Sequence, residues 1–556
     1  MAGYYQWQTY EFDEERDLNP YFQYWLLEGV FCIPALKPFC LWLAQVPGTS
    51  WCIARAAEEL SMPTAMGMEG RLKDGYWYIS VIEVPEEEWK QREPKFREKM
   101  APWIEDFERE WRGRLVPKLT ESYERLKKVD VAKLSDVGLW DHFDDWMSVY
   151  YAMWLIHFQS LFPAYSLYGL FEDMCKELLG IDGTDPQFKT LMGGFDNKMQ
   201  ELERELWRLG ERVKELRLEQ TFQSIPDDEE LLSKLKESEA GRNWLKELHD
   251  FLQEYGWRCP PVVRINEPSW IEKPSLAVPD IRRAIAKGAV FALDQERKRL
   301  VEERENAEKD ILSRVPVERR NMFEKLMRGA QWCSRWSEDH VFYCESYALA
   351  LGRRVLMEMA RRYARAGVLD EPEDILFLVP DEIRLPAITM HRCPMKKLAR
   401  IRKEQWQEFL KQEPPVFIGD PSSLARQAAV NPGLRIIAAL PIVKPELKAD
   451  LYGSGSAAGV VEGTARVLMS EAEFSQLQPG EILVSPFTHS DWTPLFWLAK
   501  GAVTDHGGAL AHAVIVGREY GIPVVAGTWE ATKKIKTGDR IRVDGDMGAV
   551  YILPKT

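Results

Sequence analysis

The sequence of 556 residues lacks the paired cysteines of a redox or zinc site. Its eight cysteines are scattered and no C-x-x-C pair occurs, which excludes a zinc ribbon and a thioredoxin-like centre. Residues 1–17, MAGYYQWQTYEFDEERD, have neither the basic segment nor the apolar segment of a cleaved leader. Unpaired cysteines without a leader predict reduced thiols, so we expect a cytoplasmic protein.

Positive charge is also in deficit, because 73 Lys and Arg stand against 87 Asp and Glu, a formal net charge of −14. Nucleic-acid binding depends on Lys and Arg that neutralise phosphates, so the sequence predicts no nucleic-acid partner. The phosphate loop pattern G-x-x-x-x-G-K-[ST] does not occur anywhere in the chain. A nucleotide-binding loop of that type is therefore excluded.

Long apolar runs are scarce, and the stretch that tests for a membrane span is WMSVYYAMWLIHFQSLF, residues 146–162, which carries no formal charge. Its 17 residues approach the lower limit for a membrane span, but His157 and Gln159 interrupt it. The sequence therefore predicts a buried helix and no membrane partner. Aromatic residues recur here at helical spacing, which fits either a flat pocket for an aromatic substrate or an ordinary core: Trp140, Phe143, Trp146, Tyr150, Trp154 and Phe158.

The periodicity and composition along the chain predict an α+β protein with three parts. Residues 1–440 show mainly helical periodicity, as in 86–115 and 197–218, with a short strand at 76–84. Residues 441–458 are rich in Pro, Gly and Ser and predict a hinge linker. Residues 459–556 alternate short strands with turns, which predicts a small α/β domain. Its expected strands are 460–468, 481–487, 523–527, 540–545 and 549–553.

The stretch TDHGGALAHAVIVGREYGIPVVAG, residues 504–527, holds two of the eight histidines. Gly507 and Gly508 allow positive φ and a close approach of a ligand. The residues after them predict a helix of about ten residues that has His512 in its first turn and ends at Gly521. A helix N-terminus attracts anions, so a phosphorylated His512 would be stabilised there. A structural histidine near a helix start is the alternative interpretation.

Four pieces of the C-terminal region resemble the swivelling phosphohistidine domain of enzymes like phosphoenolpyruvate synthase and pyruvate phosphate dikinase: GVVEGTARV, PGEILVSPFTHSDWTPLF, TDHGGALAHAVIVGREYGIPVVAGT and GDRIRVDGDMGAVYI. The resemblance implies that His512 carries the phosphoryl group and that Gly507 and Gly508 form the family's glycine pair. It also implies that Thr504 contacts the phosphate and that His506 either contacts the phosphate or tunes His512. A turn residue without a catalytic part is an equal alternative for His506. Ala511 departs from the pattern, because many members have a hydroxyl or thiol residue there.

The helical body is similar to the catalytic subunit of phenylphosphate synthase and, more distantly, to the rifampin-binding part of rifampin phosphotransferases. The stretches that carry this similarity are 10–39, 255–274, 337–356 and 367–383. The resemblance implies transfer of a phosphoryl group from His512 to the hydroxyl of phenol or a related phenolic compound. No ATP-grasp region is recognisable, so we expect a separate ATP-grasp subunit that binds ATP and Mg²⁺ and charges His512, releasing AMP and phosphate.

Several residues in these stretches are candidates for the acceptor site. A phenol hydroxyl needs a base at neutral pH, and His340 is the candidate base. Arg258 is the candidate phosphate clamp, and the candidate substrate-binding residues are Glu272, Glu345 and Tyr343. For each of them an ordinary buried or salt-bridged residue is the alternative, and no metal-binding residue is expected in this chain.

Two other functions fit the same sequence. The acceptor alcohol could be another aromatic or drug-like molecule, which changes only the acceptor pocket. Alternatively, the chain is a non-catalytic phosphocarrier or regulatory protein whose helical body binds other proteins.

Overall fold

The computed structural model describes residues 11–257, 264–287, 290–388, 393, 395–438, 445–489 and 492–554. The chain divides into two compact units. Unit 1 comprises residues 1–170, 261–266 and 343–438, and unit 2 comprises residues 171–260, 267–342 and 439–556.

Unit 1 is mainly helical. Its helices are α1 (Glu14–Asp17), α2 (Gly29–Cys32), α3 (Pro38–Leu43), α4 (Ala54–Leu60), α5 (Glu86–Glu105), α6 (Val116–Lys127), most of α7 (Asp136–Leu179), and, later in the chain, α16 (Tyr347–Arg365), α17 (Pro380–Ile388), α18 (Lys396–Phe409), α19 (Pro421–Val430) and α20 (Pro432–Ala438). Turns of π-helix cover Ala44–Ile53, Arg109–Leu115 and Val341–Ser346, and short 3₁₀ turns cover Val131–Lys133 and Pro372–Phe377. The helix predicted at 86–115 is confirmed, with a break at Asp106 between α5 and the π-helical turn.

A small sheet completes unit 1. Its strands are β1 (Tyr24–Leu27), β2 (Ala65–Lys73), β3 (Tyr76–Glu83) and β4 (Phe417–Gly419), in the order β2-β3-β1-β4 with antiparallel pairing throughout. The strand predicted at 76–84 is confirmed as β3. The other three strands had no clear alternating pattern, since β2 mixes glycine and charge and β4 has only three residues.

The uncharged stretch 146–162 lies inside α7, which is 44 residues long. Of the aromatic stripe, five members are buried and belong to the core: Phe143, Trp146, Tyr150, Trp154 and Phe158. The interpretation as an ordinary core is therefore the correct one for those five. Along the described residues, no helix combines the length and apolar character needed to cross a membrane.

Unit 2 contains the remaining helices of the body. They are α8 (Pro186–Leu191), α9 (Lys198–Glu215), α10 (Glu219–Ser224), α11 (Asp228–Leu235), α12 (Glu239–Tyr255), α13 (Val278–Lys287), α14 (Val290–Arg314) and α15 (Val317–His340), with a 3₁₀ turn at Pro274–Ala277. The helix predicted at 197–218 is confirmed as α9. The side chain of Asn197 caps it by accepting from Met199 N and Gln200 N, which satisfies first-turn donors.

The C-terminal part of unit 2 is built on an eight-stranded sheet. Its strands are β5 (Leu451–Tyr452), β6 (Ser454–Ala457), β7 (Val460–Val467), β8 (Ile482–Ser485), β9 (Gly501–Thr504), β10 (Val524–Ala526), β11 (Arg540–Asp544) and β12 (Ala549–Ile552), in the order β5-β12-β11-β7-β8-β9-β10-β6. Three short helices accompany them, α21 (Thr493–Phe496), α22 (His512–Glu519) and α23 (Ala531–Lys534), with 3₁₀ turns at Pro445–Leu447 and Glu471–Gln476. All five predicted strands are confirmed.

The central strands of this sheet run parallel. β7 pairs with β8, β8 with β9, and β9 with β10 in parallel, with Ser485 opposite Thr504. The carboxyl ends of β8 and β9 therefore meet at one edge of the sheet, where ligands of α/β folds commonly bind. This edge carries the loops that hold His512.

Part of the predicted linker 441–458 is ordered sheet, because residues 451–457 form β5 and β6. Their glycines serve close packing: a Cβ on Gly455 would lie 2.4 Å from Gly548 N, and one on Gly453 would lie 2.4 Å from Ala526 O. The flexible tether that these small residues suggested is therefore wrong for 451–457. Residues 441–444 lie outside the described residues.

The structure has a mainly helical body and a C-terminal domain rich in strands, as predicted for the fold class. Unit 2 joins residues 439–556 to the helices of 171–260 and 267–342. The three-part division into 1–440, 441–458 and 459–556, with swivelling of the last part, stays a prediction.

Candidate active site

His512 stands at the first position of α22, as the sequence predicted, although the helix has eight residues instead of about ten. The helix stops at Tyr520, and Gly521 follows with φ 64°, the left-handed conformation of a helix C-terminus. The strand before it, β9, ends at Thr504. Residues 505–511 thus connect the carboxyl end of a central strand to the N-terminus of a helix.

The glycine pair shapes this connection. Gly507 has φ 113°, a conformation that side-chain-bearing residues rarely adopt, and a Cβ there would lie 2.7 Å from the Cβ of Ala511. The N–H of Ala511 donates to the carbonyl of Gly508 at 3.0 Å. Ala511 is the N-cap residue of α22 and gives no side-chain hydrogen bond there. The prediction that a glycine takes positive φ here is confirmed for Gly507.

The ring of His512 lies between two threonine hydroxyls. Its Nδ1 is 2.9 Å from Thr488 Oγ1, and its Nε2 is 2.9 Å from Thr493 Oγ1. The ring of Phe496 meets it edge-on, with centroids 5.9 Å apart. Both threonines are buried, whereas His512 is partly exposed. The arrangement fixes the plane of the imidazole from both sides.

Backbone hydrogen bonds tie the loop of His512 to the neighbouring strand. Asp505 N–H donates to Ser485 O at 3.1 Å, and His506 N–H donates to Pro486 O at 2.9 Å. The hydroxyl of Thr504 donates to the carbonyl of His506 at 2.9 Å. Thr504 therefore shapes the turn, and its predicted contact with a phosphate stays a prediction.

The electrostatics of the loop keep His506 uncharged. Burial, together with the nearby Lys533 cation, lowers the pKa of His506 to about 4. His506 is therefore neutral at pH 7 and carries no positive charge toward a phosphate. Its role in phosphate binding or in tuning His512 stays a prediction.

Hydrogen bonds join the C-terminal, strand-rich part of unit 2 to the helices of the same unit. Ser337 Oγ donates to Leu510 O at 2.7 Å, and Phe195 N–H donates to the Glu519 carboxylate at 3.3 Å. Lys189 Nζ donates to the carbonyls of Gly545 and Asp546 at 3.0 and 2.9 Å. The loop that leads to His512 is thereby held against α15.

Carboxyl groups are buried beside these contacts. Glu203 of α9 accepts a hydrogen bond from the Tyr520 hydroxyl, and the Tyr520 ring lies 4.7 Å from that of Trp497. Burial raises the pKa of Glu203 to about 7 and that of Glu519 to about 7. Both carboxyls are therefore partly protonated at neutral pH, which reduces the cost of burying them.

Two of the residues predicted for the acceptor site lie in unit 2. His340 is the last residue of α15 and is buried, its ring stacks on Trp336 at 4.1 Å, and its Nδ1 is 3.1 Å from Trp336 O. It lies one helical turn after Ser337, on the same face of α15. Glu272 is exposed and accepts from the N–H and hydroxyl of Ser269 at 3.0 and 2.7 Å, so it closes a turn.

Two further candidates lie in unit 1. Glu345 is buried, and its carboxylate is 3.7 Å from Nδ1 of the buried His157. Tyr343 accepts a hydrogen bond of 2.7 Å from the Tyr123 hydroxyl at its main-chain carbonyl. Arg258, the candidate phosphate clamp, lies outside the described residues. The acceptor-site roles of Glu272, Glu345, Tyr343 and His340 stay predictions.

The sequence interpretation missed Thr488 and Thr493 as partners of His512. Both fall in the piece PFTHSDWTPLF, and their distance of 24 and 19 residues from His512 hid the contact. The signal that could have found them is their position after β8, because parallel strands bring their carboxyl ends together.

Comparison with known proteins matches two regions of the chain to protein families. Residues 157–338 match the family "Rifampicin phosphotransferase fourth domain", and residues 477–548 match the family "PEP-utilising enzyme, mobile domain". The second match contains His512 and both threonines. The chain therefore contains a mobile domain of the PEP-utilising enzymes and a region like the fourth domain of rifampicin phosphotransferase.

Curated relatives agree with this assignment. The "Uncharacterized phosphotransferase YvkC" of Bacillus subtilis is 30% identical over 72% of this chain and 47% of its own length. The "Chondramide synthase cmdD" of Chondromyces crocatus is 31% identical over 72% of this chain and 10% of its own length. A "Rifampicin phosphotransferase" of Streptomyces sviceus is 30% identical over 59% of this chain and 36% of its own length. The chain thus spans less than half the length of these relatives.

Proposed function

We propose that this chain is a phosphotransferase subunit that carries a phosphoryl group on His512 and transfers it to the hydroxyl of phenol or a related phenolic compound. The proposal rests on the position and the hydrogen bonds of His512. A histidine that starts a helix and is held at both ring nitrogens, inside a region that matches the mobile domain, suits a phosphoryl carrier. The charge of the bound phosphoryl group would be stabilised by the N-terminus of α22.

We propose that His512 is charged by an ATP-grasp subunit that binds ATP and Mg²⁺ and releases AMP and phosphate. A neutral imidazole is nucleophilic at pH 7, so the donor must only be aligned and its charge neutralised. We propose that the domain then moves to the acceptor, with its pivot in the part of 441–458 that precedes β5. Movement of this kind is the usual solution when one group serves two sites.

At the acceptor, His340 is the proposed base. A phenol has a pKa near 10, so removal of its proton as the oxygen attacks phosphorus would accelerate transfer at pH 7. The Ser337–Leu510 hydrogen bond supports this role, because His340 lies one turn beyond Ser337 on the helix that holds the loop of His512. The specificity for phenol rests on the resemblance to phenylphosphate synthase.

A second candidate acceptor is a larger aromatic alcohol of the rifamycin kind. The match of residues 157–338 to the fourth domain of rifampicin phosphotransferase favours it. The two acceptors use the same His512 chemistry and differ only in the pocket that receives the alcohol.

The test is reconstitution with an ATP-grasp protein and ATP labelled with ³²P at both the β and γ positions. We expect acid-labile, base-stable label on the chain, as phosphohistidine gives, and its discharge on addition of phenol, a methylphenol or a rifamycin. The acceptor that discharges it at the lowest concentration identifies the substrate class. Label that no alcohol discharges would indicate a phosphocarrier instead, and absence of label with every ATP-grasp protein tried would refute the proposal.

A further inference from the structure

The mobile domain lacks a side-chain donor directly before His512, because Ala511 occupies that position. A phosphoryl group on the ring needs hydrogen-bond donors for its oxygens, and hydrogen bonds to a charged group are among the stronger ones. Thr493 offers a hydroxyl at 2.9 Å from Nε2, and it comes from α21 instead of the histidine loop. Thr493 thus offers, on the other side of the His512 ring, the hydroxyl donor that Ala511 lacks.

The two ring contacts cannot be of the same kind. A neutral imidazole has one N–H group and one nitrogen with a lone pair, so one threonine hydroxyl accepts a hydrogen bond and the other donates one. Only the nitrogen with the lone pair can attack phosphorus. The threonine that donates to this nitrogen marks the place where the phosphoryl group is added.

The two ring nitrogens of His512 have different surroundings. Thr493, its partner, lines a small cavity with polar side chains of α9 and α15 and of the N-cap of α9: Asn197, Gln200, Glu203 and Glu338. Thr488, the partner of Nδ1, follows β8 in a segment held by the bond from His506 N–H to Pro486 O. Thr493 therefore borders an enclosed cavity of about the size of one water molecule, and the tautomer of His512 decides between the two nitrogens.

We propose that Thr493 is a phosphoryl-positioning residue: its hydroxyl donates to Nε2 of His512 in the uncharged protein and to a phosphoryl oxygen after transfer, while Thr488 accepts the Nδ1–H. This inference rests on the proposed function. In the charging step the Nε2 lone pair forms the N–P bond, and the phosphoanhydride P–O bond of the donor breaks. Its electron pair leaves with the departing oxygen, and the proton stays on Nδ1 against Thr488.

The test compares Thr493→Val, Thr493→Ser and Thr488→Val with Thr528→Val. Thr528 is a buried threonine of the same domain whose hydroxyl donates to Thr504 O at 3.0 Å, away from the ring. Loss of one donor to a charged group should slow the charging of His512 in Thr493→Val by roughly tenfold to hundredfold. Thr493→Ser should restore most of the rate, and Thr528→Val should leave it within about twofold.

A second readout uses the uncharged full chain and needs no phosphorylation. Chemical shifts of ¹⁵N-labelled histidine should show His512 as the Nδ1–H tautomer, and Thr488→Val should mix the tautomers while Thr528→Val does not. If wild-type protein takes up label but Thr493→Val charges as fast as Thr528→Val, or if His512 is the Nε2–H tautomer, the inference about Thr493 is wrong. Failure of the wild-type chain to take up label would instead refute the proposed function, and the tautomer result would still stand by itself.

Discussion

The hydroxyl of Ser337 donates a 2.7 Å hydrogen bond to the carbonyl of Leu510, two residues before His512. This bond joins the buried second half of α15 to the loop that presents the candidate phosphoryl carrier. It is made by a side chain and a carbonyl that are 173 residues apart in sequence. The position of His512 in this structure therefore depends on α15 as well as on its own domain.

Replacement of Ser337 by Ala tests this dependence. The variant leaves the Leu510 carbonyl without its donor and should reduce the free energy of unfolding by about 1 kcal/mol, measured by urea denaturation. It should also increase hydrogen exchange in residues 505–511. Ser334→Ala is the matched control, because the buried Ser334 hydroxyl has no hydrogen-bond partner within the described ranges. Equal exchange in the two variants would contradict a role of Ser337 in holding the loop.

Glu203 should make the stability of the protein depend on pH. Burial raises the pKa of Glu203 from 4.5 to about 7, so the folded chain keeps a proton that the unfolded chain releases. The stabilisation that Glu203 contributes is therefore complete below about pH 4.5 and is lost as the pH rises toward 7. The loss in the free energy of unfolding is about 3 kcal/mol at most. Glu203→Gln keeps an acceptor for Tyr520 and should flatten this part of the profile.

The measurement is the urea midpoint of Glu203→Gln and of the wild type at pH 5, 6, 7 and 8. Glu205→Gln is the control on the same helix, at a partly exposed carboxyl that pairs with Arg208. Parallel profiles for Glu203→Gln and wild type would show that Glu203 is ionised in the folded protein throughout this range.

His506 should act on stability in the opposite direction over nearly the same pH range. Its pKa is lowered to about 4 by burial and by the Lys533 cation, whereas an unfolded histidine takes up a proton near 6.5. The folded state therefore loses stability as the pH falls from about 6.5 to 4, by at most about 3 kcal/mol. His506→Gln should remove this loss, so its urea midpoint should fall less between pH 7 and pH 4.5 than that of the wild type. A ring that titrates near pH 6.5 in an NMR experiment would contradict the neutral His506.

Gly507 should not tolerate a side chain. With φ 113° and a Cβ that would lie 2.7 Å from Ala511 Cβ, Gly507→Ala both strains the backbone and displaces the residue before His512. Gly480→Ala is the control, because Gly480 has φ 85° but open space for a Cβ. We expect Gly507→Ala to be less stable than Gly480→Ala by about 1–3 kcal/mol and to charge His512 more slowly. Equal stability and equal charging would show that the close approach at Gly507 is unimportant.

The periodicity of apolar residues was sufficient to predict most of the elements near the site. The five strands of the C-terminal domain and the start of α22 at His512 follow from local patterns, namely short alternating runs and the Gly-Gly turn. The error at 451–457 has a physical cause, since Gly453 and Gly455 predict flexibility by composition but serve close backbone contacts in the sheet.

The tertiary partners of His512 and of its neighbours Leu510 and Tyr520 could not be predicted in the same way. Thr488, Thr493, Ser337 and Glu203 reach the site through tertiary packing, and nothing in their local sequence distinguishes them from other polar residues. Glu203 in particular lies in a helix rich in charged residues, and its local sequence is typical of a solvent-exposed side chain. In the structure it is buried against Tyr520. Contacts between distant segments become visible only when the strand order and the packing of the helices are known.

The measurement that tests the central claim most directly is aryl phosphate production by His512→Gln in the reconstituted system. His249→Gln is the matched control, because His249 is an exposed histidine of α12. We predict that His512→Gln forms no aryl phosphate and takes up no label, while His249→Gln matches the wild type. Aryl phosphate formed by His512→Gln at the wild-type rate would contradict the claim that this histidine carries the phosphoryl group.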